Sequence, residues 1–167
     1  MKRKEFIKSV GISSLILPTF PLFSFTKPQE EPQLDKAVVQ KFVGASHGQF
    51  EVVKELLEEH NTLINSSHDW RHGDFETGLG AASHVGNKEI ATYLLERGAQ
   101  ANIFTAALFG KMDILKPMLD FMPSLLHAKG PHGFTLLHHA EQGDDEAMEA
   151  KEYLLSLGLK ETKIALY

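Results

Sequence analysis

The sequence predicts an all-α chain, a stack of about four helix–turn–helix units with one irregular, long connection between the first two. The main observation is a recurring phrase: a pair of small residues and a glycine, followed eight residues later by two large apolar residues. It reads G-A-S-H-G-Q-F-E-V-V-K-E-L-L over Gly44–Leu57 and A-S-H-V-G-N-K-E-I-A-T-Y-L-L-E-R-G-A over Ala82–Ala99. It returns as A-A-L-F-G-K-M-D-I-L-K-P-M-L over Ala106–Leu119. A looser copy, T-L-L-H-H-A-E-Q-G over Thr135–Gly143, reaches its apolar pair at Leu154 and Leu155. Self-similarity at this scale marks a repeat architecture, in which each unit contacts its neighbours.

Each element of a unit has a physical reason. The first helix is short and carries Ala or Gly where neighbouring units approach closely. The glycine after it permits a tight turn, because without a Cβ it accepts positive φ. The second helix places Ile90, Tyr93, Leu94 and Leu95 on one apolar stripe with charges opposite. This puts Leu95 in the core, where truncation to Ala costs ~2–5 kcal/mol. Gly98 then stands where a left-handed C-cap is expected. One such pair leaves its apolar face uncovered, so at least three must stack.

The intervals are uneven. Gly48 and Gly86 are 38 residues apart, and Gly86 and Gly110 only 24, against ~33 in regular arrays of this kind. The long interval holds an enlarged connection, His68–Glu76; the short one passes straight from Asn102 into Ile103–Ala107. In the last copy about three extra residues fall near Ala147–Ala150. Beyond Lys160 there is no further copy, so the tail over 161–167 either covers the last helix pair or frays.

The N-terminus is a separate object. Lys2, Arg3, Lys4 and Lys8 precede the apolar run Ser9–Phe25, broken by Pro18 and Pro21. This is the pattern of a secretory signal over residues 1–26, or of an uncleaved N-terminal anchor, and it is short for a membrane span. R-K-E-F-I-K (Arg3–Lys8) is similar to a twin-arginine export motif, with Lys4 at the second arginine position, so both the general secretory and twin-arginine routes stay open. Residues 27–34 form a polar, proline-rich spacer, and 35–160 the repeat domain. The expected location is the periplasm or cell envelope.

Composition narrows the function. The chain has 167 residues, 43% hydrophobic and 23% charged, with formal charge −5. Losing residues 1–26 leaves 13 bases against 21 acids, or −8. That balance, with no basic block beyond the leader, argues against nucleic acid. Zero cysteines exclude disulfides, thiolate catalysts and zinc–thiolate sites.

Thr77, Leu79, Ala82, Gly86, Glu89, Ile90, Leu94, Leu95, Gly98, Ala99 and Asn102 fall in register on the pattern G-x-T-P-L-H-x-A-A-x-x-G-x-x-E-I-V-x-x-L-L-x-x-G-A-x-x-N. Gly133, Thr135, Leu137, His138 and Ala140 match its opening, and Gly48, Glu51, Val52, Val53, Leu56 and Leu57 its second half. The chain therefore resembles the ankyrin repeat. Gly78 and Leu136 replace the pattern's proline and Gly80 its histidine, which unsettles the local helix starts. The resemblance implies a non-catalytic, monomeric module for a protein partner, without cofactor; it does not name that partner.

Candidate contact residues follow. Trp70, Arg71, His72 and Phe75 lie in the enlarged connection, where aromatic and arginine side chains on a rigidly held loop make binding hot spots. Trp70 and Phe75 could equally fold back into a gap between the first two units. His47 and His84 end first helices, His132 sits in the G-P-H-G-F turn (Gly130–Phe134), and His139 falls at a variable position that the resemblance turns to the concave surface. The resemblance makes His138 structural, bonded to backbone.

Metal ligation is not expected: His68 and His72 with Asp69 and Asp74 come closest, but they lie in a connection whose spacing fixes no geometry. No H-E-x-x-H, G-x-S-x-G or P-loop pattern occurs, so an enzyme is not expected. The alternative function is a small-molecule or metal-binding accessory of an exported enzyme.

Overall fold

The computed structural model describes residues 33–167. The leader over 1–26 and the spacer up to Pro32 lie outside the described residues, so what was expected of them is not addressed by the fold. Among the described residues no helix is long and apolar enough to cross a membrane.

The described chain is mostly helical, as expected. Four helix pairs follow one another: α1 (Lys36–Ala45) with α2 (Phe50–Glu59), α3 (Gly78–His84) with α4 (Lys88–Glu96), α5 (Ile103–Leu108) with α6 (Met112–Phe121), and α7 (Leu136–Gln142) with α8 (Met148–Ser156). The first helices pack side by side in the order α1, α3, α5, α7. They do so because they are short and lined with small residues such as Ala81, Ala82, Ala106 and Ala107, all buried.

Caps set the helix starts that the missing proline had put in doubt. The Thr77 hydroxyl accepts from Gly80 N at 3.0 Å at the start of α3, and the Asn102 side chain accepts from Phe104 N and Thr105 N at 3.0 and 3.1 Å at the start of α5. Each such bond satisfies an amide that the first helical turn leaves orphaned. Gly110 turns the chain between α5 and α6 at φ 59°, and a Cβ there would lie 2.2 Å from the Glu146 carbonyl oxygen. Close packing of the last pair thus depends on that glycine.

The core has two parts. Phe42, Val43, Val53, Leu63, Leu79, Ile90 and Leu94 build one between α1–α4; Ile103, Leu115, Leu119, Leu136 and Leu154 build the other between α5–α8. Of the four apolar pairs expected on second helices, Leu56 and Leu57 are both buried, Leu94, Leu119 and Leu154 are buried, and Leu155 is 45% exposed. Leu95 is half-buried and lines an open apolar groove of about 470 Å³ with Ala101, Phe109, Ile114 and Met118. This corrects its assignment to the core. The groove lies where the chain passes from Asn102 directly into α5.

The enlarged connection is not a loose loop. It forms a two-stranded antiparallel hairpin, β1 (Ser67–Asp69) and β2 (Phe75–Thr77), with His68 opposite Glu76 and Asp69 opposite Phe75. Side chains alternate across a strand, so Phe75 is 61% exposed while Glu76 is 1% exposed. In the last unit the extra residues form a short 3-10 turn, Asp144–Ala147, ahead of α8.

The C-terminal tail does not fray. Leu159 is buried, Thr135 N donates to Thr162 O at 3.0 Å, and Ile164 N donates to Gly133 O at 2.8 Å. These bonds lash the tail to the turn that precedes α7.

Candidate metal centre

Three imidazoles and one carboxylate meet at the inner face of the hairpin. His47 follows α1, Glu76 lies on β2, His84 is the last residue of α3, and His132 occupies the turn Pro131–Gly133 ahead of α7. One donor atom from each lies within 4.8 Å of the others. Four separate chain segments therefore contribute to one point.

Each ligand is held from behind. His47 Nδ1 lies 3.2 and 3.1 Å from the carbonyl oxygens of Val43 and Gly44. Carbonyls only accept, so Nδ1 donates to them and Nε2 is the nitrogen that faces the cluster. His132 is held twice by Asp74: its backbone N–H donates to Oδ1 at 2.8 Å and Nδ1 donates to Oδ2 at 2.7 Å. Its φ of 58° is the left-handed region, a conformation that costs on the order of 1 kcal/mol and persists only where surroundings impose it. Glu76 accepts from the indole N–H of Trp70 at 2.6 Å through Oε2. Phe134 stacks on His84 with ring centroids 5.0 Å apart.

The front of the cluster gathers three imidazole nitrogens around one carboxylate. His84 Nε2 stands 2.9 Å from Glu76 Oε1 and 3.1 Å from His47 Nε2. The Nε2 atoms of His47 and His132 stand 3.6 and 3.5 Å from Glu76 Oε2. Both of those nitrogens face a buried carboxylate. Glu76 Oε1, close as it is to His84, receives no hydrogen bond of acceptable geometry.

Electrostatics keep the acids ionised. Burial pushes Glu76 toward the neutral acid, but the His84 ring 2.9 Å away and the Trp70 N–H outweigh it and hold its pKa below the ordinary carboxylate value. Asp74 follows the same pattern, with burial opposed by His132's backbone and side-chain donors, and its pKa is also lowered.

The expected contact residues divide accordingly. His84 and His132 enter the cluster, and Trp70 backs it from a half-buried position. Arg71, His72 and Phe75 stay exposed at the hairpin.

His139 does not meet a surface, contrary to expectation. It is fully buried, with Nδ1 donating to Thr135 O at 2.8 Å and its ring 5.0 Å from that of Phe104. The helix turns it inward between α5 and α7. His138 bonds backbone, with Nε2 donating to the His84 carbonyl at 2.8 Å.

Of the four residues once closest to a metal pattern, only Asp74 reaches the cluster, through His132. His68 packs edge-on against Trp70 at 4.7 Å, His72 lies 5.9 Å from Tyr167 between ring centroids, and Asp69 caps Gly73 N at 3.0 Å.

Glu76 and the convergence of His47 with His84 escape sequence reasoning. A partial signal exists: the tripeptide Ala-Ser-His ends the first helix of two successive units, at Ala45–His47 and Ala82–His84. Adjacent stacked units bring such equivalent positions together.

The chain matches no protein-family model and no curated protein.

Proposed function

We propose that this protein is an ankyrin-type helical stack that binds one first-row divalent metal ion, such as zinc, through His47, Glu76, His84 and His132. One observation carries the reading: three imidazoles from separate segments turn Nε2 toward one buried carboxylate, two of them anchored from behind through Nδ1. A cation at that point is within reach of all four side chains. Metal–donor bonds of about 2.0–2.2 Å imply donor separations of roughly 3.4 Å in a tetrahedral site; His84 Nε2 lies 2.9 Å from Glu76 Oε1 and 3.1 Å from His47 Nε2, and one donor atom from each of the four residues lies within 4.8 Å of the others. Three imidazoles and a carboxylate suit zinc, iron, cobalt or nickel better than calcium or magnesium. The back-side bonds to Asp74, Trp70 and the α1 carbonyls are the outer-shell partners such ligands require.

The ankyrin-type reading is supported by threonine caps on α3 and α7 and by positive-φ glycines after first and second helices alike. Export through the leader belongs to the same proposal. A second, protein-binding role is favoured by one observation, the exposure of Arg71, His72 and Phe75 together at the hairpin.

The test uses Trp70, the single tryptophan, whose ring centroid lies 6.3 and 6.2 Å from those of His47 and His132. Cobalt(II) titration of the full chain is expected to quench its fluorescence at one ion per chain. Glu76→Gln and His84→Ala should abolish that tight phase with circular dichroism unchanged, and His72→Ala should not. Equal quenching in all four proteins refutes the site.

A further inference from the structure

Resting on that metal reading, we propose that the ion keeps one coordination position facing solvent, between His47 and His132, and that this position takes a small monodentate anion. Four protein donors usually close a structural zinc site. Here burial is lopsided. The side chains of Glu76 and His84 are 0% and 8% exposed, whereas those of His47 and His132 are 31% and 27% exposed. The inner side is sealed by Glu76 and His84, and the outer side is bordered by two half-buried imidazoles and the half-buried Trp70 ring, its centroid 6.3 and 6.2 Å from theirs.

Glu76 contributes only one donor. Its Oε2 is engaged by the Trp70 indole N–H at 2.6 Å, so chelation through both oxygens would sacrifice a short, charge-assisted bond in a buried setting. Coordination by Oε1 and three Nε2 atoms makes four, and a first-row divalent ion accommodates a fifth ligand.

Charge selects the class of that ligand. A divalent ion with one carboxylate and three neutral imidazoles leaves one positive charge uncompensated. Asp74 does not cancel it from the front, because both its oxygens are spent on His132 from behind. A cationic centre with one solvent-facing edge attracts small anions over neutral ligands.

The experiment loads the full chain with cobalt(II) and titrates azide while recording the visible ligand-field bands. The expected result is a saturable change in band position and intensity with cobalt stoichiometry unchanged. Cobalt bands that do not respond to azide throughout the titration overturn the open position while leaving the metal site intact. An absence of cobalt bands in the wild type contradicts the metal reading itself.

Discussion

Replacing Trp70 by Phe removes one hydrogen-bond donor and keeps an aromatic ring in its place. The indole N–H donates to Glu76 Oε2 at 2.6 Å, and Glu76 is 1% exposed, so no water replaces the donor. Losing an outer-shell partner of a metal ligand costs 10–100-fold in affinity, or about 1.4–2.7 kcal/mol of binding. The metal-free protein also suffers, because an unsatisfied buried acceptor costs about 1–3 kcal/mol.

The same change alters the acid limb of stability. Burial raises the Glu76 pKa, and the neighbouring His84 ring and the Trp70 donor bring it below its ordinary value. A carboxylate depressed in the folded state contributes stability that is present above its unfolded pKa and is lost as pH falls through the folded one. With one donor gone the folded pKa rises, so Trp70→Phe should begin to lose stability at higher pH than the wild type. Competition against a chromophoric zinc chelator measures the affinity, and thermal melts across an acid series measure the stability. Zinc affinity within twofold of wild type, with superimposable acid melts, would refute the assignment of Trp70 as a positioning residue.

Three other outcomes follow from the packing. Burial holds His139 neutral by lowering its pKa from 6.5 to about 4, so its contribution is present above pH 6.5 and disappears as pH falls toward 4. Protonating it costs about 3 kcal/mol over that window, and guanidinium melts of His139→Gln should lack that part of the acid decline; parallel curves contradict it. Gly110→Ala forces a Cβ against the Glu146 carbonyl at positive φ, for at least about 2 kcal/mol and a melting drop of roughly 4–8 °C; an unchanged melt contradicts the turn geometry. Leu94→Ala, at a fully buried position, should cost ~2–5 kcal/mol, and half-buried Leu95→Ala less than half of that; equal losses contradict the orientation of α4.

The helix pairs were legible because two signals agreed: a glycine at each turn and an apolar pair at a fixed distance after it. What the pattern missed lies within that pair. It cannot say which of two adjacent leucines faces inward, since residues one apart on a helix differ by about 100°, and the buried member is Leu94 or Leu154 while Leu95 and Leu155 are left partly open. The hairpin was unreadable as strands, because three residues on each side offer too short an alternation to register.

The metal centre was half legible. The histidine just after α1, the one ending α3, and the histidine of the Pro131–Gly133 turn stood out as surface candidates. What joins them is tertiary: a hairpin that turns Glu76 inward and an Asp74 that reaches 58 residues along the chain to fix His132. A linear spacing rule searches for ligands three or four apart, whereas these ligands stand at 47, 76, 84 and 132. Conversely, His68 and His72 looked closer to a ligand pair by spacing, but His68, opposite Glu76, packs on Trp70 instead and His72 sits exposed at the tip turn.

The most direct test of the central claim is X-ray absorption at the zinc edge of the zinc-loaded full chain. The account predicts a first shell of three imidazole nitrogens and at least one oxygen at about 2.0–2.2 Å, with imidazole scattering falling by one ligand in His132→Ala. A shell of oxygens alone, or a spectrum that His132→Ala leaves unchanged, would contradict it.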